Sequence, residues 1–183
     1  MTIRTAVFVN EQAVPLENEF DDDDSRSTHL LLGVPKQNGY DYVGTIRIVP
    51  PSPDETHPLN GGLYVNGILQ NGGSLPPPLA LSGDDQDEKY LKLGRLAVRK
   101  EFRLGGKRYG RTLVIHALEH ARRHADEFPG WDGLFYVHAQ KQVMAFWEKC
   151  GFVLDEGLGA WVEEGIEHVG MHRRVELGKP VVD

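Results

Sequence analysis

The sequence predicts an α/β domain, and three observations carry that expectation. Two apolar segments rich in β-branched and aromatic residues, "THLLLGV" and "YDYVGTIRIVP", flank the turn-forming "PKQNGYD" and read as an antiparallel hairpin. Further on, "YLKLGRLAV" at 90–98 reads as a strand that gives way to a glycine turn and then to a helix over 107–126. That helix carries Leu113, Val114, Ala117, Leu118 and Ala121 on one face at helical spacing. A chain of 183 residues is long enough to bury a sizeable core and short for two domains, so one domain over 1–183 is expected.

The remaining elements follow in chain order. In "IRTAVFVNEQA", Ile3, Val7 and Val14 lie near helical spacing, which predicts a short helix over 3–13. The opening "MTIRTAVFVNEQ" has no uninterrupted apolar run and no small-residue cleavage site, so no secretory signal is expected and a cytoplasmic setting is. "FDDDD" at 20–24 sets carboxylates side by side, without the interleaved spacing of a calcium loop, and reads as a solvated acidic loop. Residues 51–88 change character, with prolines at 53, 58 and 76–78, "NGG" at 60 and 71, and the acidic run "GDDQDEK". A structureless stretch longer than ~15 residues is unusual inside a domain. It is expected to cover a site or to be mobile, without strands or helices of its own. "GLFYVHA" at 133–139 reads as a strand, "KQVMAFWEKC" as a helix stopping at Gly151, and "FVLDEG" and "IEHVGMHRRV" as a closing strand pair.

Composition excludes several functions. No apolar run approaches the ~18 residues of a membrane span. A net charge of −7 disfavours nucleic acid, whose binding needs a positive field to displace counterions. The single cysteine, Cys150, has no internal disulfide partner, and its apolar surroundings predict a buried structural thiol. His116, His120 and His124 recur every fourth residue, but no carboxylate or cysteine completes a metal set, and none is expected.

Against the acidic background, basic residues gather between Arg95 and Arg111. A helix N-terminus leaves N–H groups unpaired and carries partial positive charge, so a glycine turn feeding a helix suits an anion. Arg103, Lys107, Arg108 and Arg111 add charge around it. No GxxxxGK[ST] occurs, nor a GxGxxG followed by an acidic strand end. Taken alone, the turn reads equally as a phosphate site or as a solvent-exposed basic turn.

The order strand, basic glycine turn, helix, strand, helix, "GF", strand resembles the GNAT superfamily of acyl-CoA-dependent N-acetyltransferases. "LAVRKEFRLGGKRYGRTLV" is similar to the strand and pyrophosphate loop of that superfamily, and "AFWEKCGFV" to its late aromatic and Gly-Phe motif. "RTAVFVNEQAVP", "EFDDDD", "VHAQ" and "EEGIEHVGMHRR" resemble the ElaA/YjcF-like branch. The resemblance implies a mixed, mostly antiparallel sheet of about six strands, splayed at its centre and flanked by helices. It also implies a strand ahead of "RTAVF" that the segment from Met1 leaves little room for.

On that resemblance, acetyl-CoA is the cosubstrate and a small-molecule or peptide amine the acceptor, joined in a ternary complex without a metal, with a homodimer allowed. The pantetheine arm maps to Leu96, Ala97 and Val98, and the pyrophosphate to Arg103, Gly106, Lys107, Arg108, Tyr109, Gly110 and Arg111. Gln140 falls where most relatives place an Asn facing the cofactor. Arg108 stands where glycine is usual. Trp147 stands where many relatives carry the tyrosine that protonates the leaving thiolate, and indole cannot serve as that acid. His138, His168 and Glu11 are the candidates for base or amine positioning. The alternatives are a catalytically degenerate acyl-CoA-binding module and a protein-interaction domain that uses the insertion.

Overall fold

The structure, a computed structural model, describes residues 2–51, 64–65, 68–69, 89–157, 159–163 and 165–181. The expected hairpin is β1 (Thr28–Lys36) and β2 (Gly39–Val49), antiparallel from Thr28↔Ile48 to Lys36↔Gly39. Gly39 closes it at φ +100°, a left-handed conformation that glycine adopts without penalty. Most of 51–88, the expected insertion, lies outside the described residues. Within it two short strands, β3 (Tyr64–Val65) and β4 (Ile68–Leu69), pair antiparallel, which the expectation of no strands there did not include.

β2 then pairs antiparallel with β5 (Leu91–Val98), which is followed by helix α2 (Tyr109–Arg123) and by β6 (Leu134–Gln140) lying parallel to β5. β9 (Ile166–Arg174) runs antiparallel to β6 over seven residue pairs, and both β7 (Val153–Leu154) and β8 (Ala160–Glu163) pair with β9. Among the described residues the sheet thus has seven strands, mostly antiparallel, in the order β1-β2-β5-β6-β9-β7 with β8 beside β9. The extra strand is β8, whose residues fall after the segment read as a strand from "FVLDEG". Among the described residues no helix is long and apolar enough to cross a membrane.

The five predicted inner-face residues of α2 are all buried, against Ile46, Ile48, Leu91, Leu93, Phe135, Val137 and Ala139 of the central strands. Burying one such aliphatic side chain contributes roughly 1.5–3 kcal/mol, so this layer is the main cohesive contact of the fold. A short helix, α3 (Met144–Lys149), adds Trp147 to the same core, where Cys150 is buried as expected.

The opposite face of the sheet is covered by the N-terminal residues. Thr5–Glu11 winds as a π-helix, buries Val7, and leads into the short helix α1 (Leu16–Glu19). The acidic run is not a solvated loop. Arg4 bonds Glu19 at 2.5 Å and Asp24 at 2.5 Å, Arg47 holds both oxygens of Asp21 at 2.5 and 2.6 Å and reaches Asp24 at 2.6 Å, and Arg95 meets Asp21 at 2.9 Å. Asp21 and Asp24 stand three residues apart and turn inward together, which adjacency in sequence did not disclose. Burial opposes ionisation of both, but the Arg4 and Arg47 hydrogen bonds and charges overcome it and hold Asp21 and Asp24 below the usual carboxylate range. At Glu19 burial outweighs the pull of Arg4 and Arg95 and pushes the carboxyl up.

Two outcomes are expected. Arg47→Ala leaves two buried carboxylates short of a partner and should destabilise the domain by about 3–5 kcal/mol in urea unfolding. Because Asp21 and Asp24 are depressed, their contribution is present above the unfolded carboxylate pKa and is lost on acidification. Stability should therefore fall below pH ~4, and fall less steeply in Asp24→Asn.

Candidate functional site

β5 and β6 are paired only through Leu91↔Phe135, Lys92↔Tyr136 and Leu93↔Val137, and beyond Leu93 they diverge. The divergence has a local cause on the other edge of β5. There Arg47↔Gly94 and Thr45↔Ala97 leave Ile46 facing both Arg95 and Leu96, a β-bulge with Arg95 at φ 49°. A cleft of about 1100 Å³ opens between the parted strands, lined by Leu96, Ala97, Val98, Phe146 and Trp147 and closed at one end by the start of α2.

That end is shaped by backbone conformation. Gly105 and Gly106 have φ of +90° and +76°, and Arg108, immediately before α2, has φ 50°. Arg108 therefore adopts the conformation glycine would adopt at this position, at a cost of roughly 1–2 kcal/mol. No side chain caps α2, so its first N–H groups remain directed out of the helix. A Cβ on Gly110 would lie 3.4 Å from the Phe146 ring, in contact with α3, so the start of α2 packs closely on that helix.

Not every basic residue of the turn faces the cleft. Arg108, Tyr109, Gly110 and Arg111 line it, whereas Gly106 and Lys107 do not. Arg103 lines the mouth, but its Nε donates to the Val98 carbonyl at 2.7 Å and its Nη1 lies 2.7 Å from Glu11. Glu11, expected as an attractor of the acceptor's ammonium group, thus has its charge compensated by Arg103, and it is not among the residues lining the cleft. Its neighbour Gln12 does line it and accepts a hydrogen bond from Gln140 Nε2 at 3.0 Å. The end of the π-helical segment therefore ties the β5 side to the β6 side.

Trp147 is buried, packed edge-on against Phe146 and Phe152 at 5.4 and 5.1 Å, and presents one side to the cleft. His138 and His168 share the wall opposite α2, because His138 alternates with Gln140 along β6 and His168 pairs with Gln140 across β9. Burial, with added repulsion from Lys92 and His168, pushes His138 well below the usual imidazole range. His168 Nδ1 lies 2.8 Å from the Ile166 carbonyl, which assigns its proton to Nδ1 and leaves Nε2 as an acceptor. Trp161 sits between them, 4.8 Å from the His138 ring and stacked on His168.

The helical histidine stripe lies elsewhere: His120 and His124 stack on each other at 4.5 Å, and His124 meets Glu127 at 3.0 Å. Among the described residues no group of His, Cys, Asp and Glu side chains is arranged to hold a metal ion. Sequence reasoning missed the Arg4, Arg47 and Arg95 cluster, and it missed Lys92, which lines the cleft beside His138. Strand alternation in "YLKLGRLAV" was the available signal, since Leu91 and Leu93 facing the core turn Lys92 away from it.

These features define an α/β protein whose ligand cleft lies where a mixed sheet splits beside a helix N-terminus. Its residues 3–110 match the family model described as acetyltransferase (GNAT) domain. Among solved structures it is similar to Escherichia coli ElaA, with 24% identity, a TM-score of 0.57 and coverage of 94% of this chain and 85% of that one. It is also similar to an acyl-CoA N-acyltransferase from Pseudomonas aeruginosa, with 23% identity, a TM-score of 0.58 and coverage of 93% and 85%. The chain belongs to the GNAT acetyltransferase family.

The turn makes a prediction about strain. Arg108→Gly should raise stability by up to about 1 kcal/mol in denaturant unfolding, being relief of the left-handed strain less the entropy glycine loses on folding. Gly106→Ala should lower it.

Proposed function

We propose that the protein transfers an acetyl group from acetyl-CoA to a small-molecule or peptide amine, with both substrates held at once in the cleft. One observation carries the reading: β5 and β6 part directly beside the uncapped start of α2, so a diphosphate and an extended thioester arm find their complements in one continuous cleft. The cleft is of the size that holds a cofactor-sized ligand. The setting that suits this reading is the cytoplasm.

The pyrophosphate would meet the N–H groups at Arg108–Arg111, with the Arg108 and Arg111 side chains adding charge. The arm would run along Leu96–Val98, against Phe146 and Trp147. A bound acetyl-CoA supplies the activated acyl carbon. The amine nitrogen attacks that carbon, the C–S bond breaks, and a main-chain N–H of β5 steadies the oxyanion. His168 Nε2, an acceptor on the cleft wall, would take the amine's proton. His138 suits it less, because an imidazole held so far below neutrality retains a proton poorly. Trp147 walls the arm. No acid is needed at its position, because a thiol of pKa ~8.5 leaves as thiolate with modest help near neutral pH.

A second reading, an acyl-CoA-binding module without turnover, is favoured by one observation only, the indole buried where a phenol would serve as acid. Release of free thiol in the presence of amines separates the two.

Acetyl-CoA at about 100 times its Kd should add roughly 2.7 kcal/mol of stability, seen as a rise in Tm. No shift at millimolar concentration would sink the cofactor assignment. Arg111→Glu should weaken CoA more than pantetheine, which lacks the phosphates, whereas Lys107→Glu, off the cleft, should matter less. Trp147→Phe should keep most of kcat, and Trp147→Ala should lose CoA affinity through lost contact area. A large fall in kcat for Trp147→Phe with affinity preserved would give the indole a chemical role.

A further inference from the structure

Lys92 has no task in the fold or in the reaction as described so far. It pairs with Tyr136 one residue before the last shared pair of β5 and β6, so it stands at the inner end of the cleft. Leu91 and Leu93 are buried against α2, and alternation turns Lys92 to the other face, where it lines the cleft with His138, His168 and Glu163.

Its surroundings carry charge of both signs, from Glu163, Asp23, Asp21 and Arg47, with His138 alongside. Two of the three carboxylates are paired with other residues: Asp21 with Arg47 and Arg95, and Asp23 with Arg26 at 2.6 Å. Glu163, the foremost of the charges that favour the Lys92 ammonium, accepts from the Trp161 indole N–H at 3.5 Å. Among the described residues none of them forms an ion pair with the Lys92 ammonium, and no hydrogen bond engages it. Burial lowers the Lys92 pKa in spite of Glu163, Asp23 and Asp21, and an anion bound against the ammonium would act against that lowering.

The geometry points to an acceptor that carries a carboxylate together with its amine, an amino acid or short peptide, with Lys92 holding the carboxylate at the inner end of the cleft. The inference rests on the acyl-transfer reading above and narrows its acceptor. About 13 Å of strand separates Lys92 from Leu96, where the acyl group would sit. The lysine side chain covers part of that distance, and an amino acid or di- or tripeptide spans the rest. A polyamine would instead set a cation against Lys92, with Asp22, Asp23 and Glu163 of the same cleft acting the other way, and the comparison with putrescine weighs the two.

The test uses the full chain with acetyl-CoA and a thiol-release assay on amino acids and dipeptides, each beside its C-terminal amide, and on putrescine. The free acids should be preferred over their amides by about tenfold or more in kcat/KM. Lys92→Gln should raise KM for the acids by about tenfold with little change in kcat and leave the amides unaffected, and Lys92→Arg should recover most of the loss. Equal use of acids and amides, preference for putrescine, or an equal loss on acids and amides in Lys92→Gln overturns the assignment. A second readout needs no turnover: with CoA present, an N-acetyl dipeptide should protect Lys92 from reductive methylation, followed by peptide mass spectrometry, and its amide should not. Equal protection, or none, counts against it. The acetyl-CoA melting shift keeps the two levels apart. Its absence in the wild-type protein removes the acyl-transfer reading and this inference with it, whereas a normal shift without carboxylate preference removes only the role of Lys92.

Discussion

The architecture of this protein depends on a buried exchange of charge between three arginines and three carboxylates. Arg47 projects from β2, Arg95 from the bulge of β5, and Arg4 from the N-terminal segment, and they meet Glu19, Asp21 and Asp24 on the face of the sheet that α2 does not cover. Moving such groups out of water is costly, so a network of this kind is a poor source of net stability. What it supplies is direction. An apolar plug would cover the sheet equally well but would accept many placements of the chain above it, whereas Arg47 with both oxygens of Asp21 accepts very few.

The position of the cleft follows from that anchoring. The bulge at Arg95 and Leu96 lies on the edge of β5 facing β2, within three residues of the last pair that β5 makes with β6. Arg95 adopts a left-handed conformation there, and its side chain is held by Asp21, by the carbonyls of Asn18 and Glu19, and over the Phe8 ring. Strain at one residue is thus stabilised by contacts to the segment that covers it. The same segment ends in Glu11 and Gln12, which reach Arg103 on one side of the opening and Gln140 on the other. The network, the bulge and the mouth of the cleft form one connected unit.

Charge along the cleft is distributed unevenly. One end presents helix N–H groups with Arg108 and Arg111, and the other is mixed, with Lys92 and two histidines beside Asp22, Asp23 and Glu163, while the protein as a whole carries −7. Excess acid elsewhere leaves the positive end intact because interactions between exposed charges are screened beyond about 10 Å at ordinary ionic strength. Overall composition therefore bounds the class of partner and leaves the sign of the site to local structure.

The sequence by itself determined what short-range periodicity and turn chemistry can encode. The hairpin at "PKQNGYD", the strand at 90–98 and the inner face of α2 were legible because each rests on residues a few positions apart, and all five inner-face residues are buried. The GNAT resemblance was legible because its motifs are local as well. Tertiary structure decided what depends on distant partners. "FDDDD" read as solvated because its counter-ions stand at Arg4, Arg47 and Arg95, and adjacency of like charges carries no information about them. Glu11 became a clamp only because Arg103, 92 positions away, folds back to it. Lys92 is distinguished by lining the cleft without an ion pair among the described residues, while Asp21 and Asp23 pair with arginines, a property of the assembled wall that no stretch of sequence contains. Local propensity is a sum over neighbours in the chain, and a site is a sum over neighbours in space.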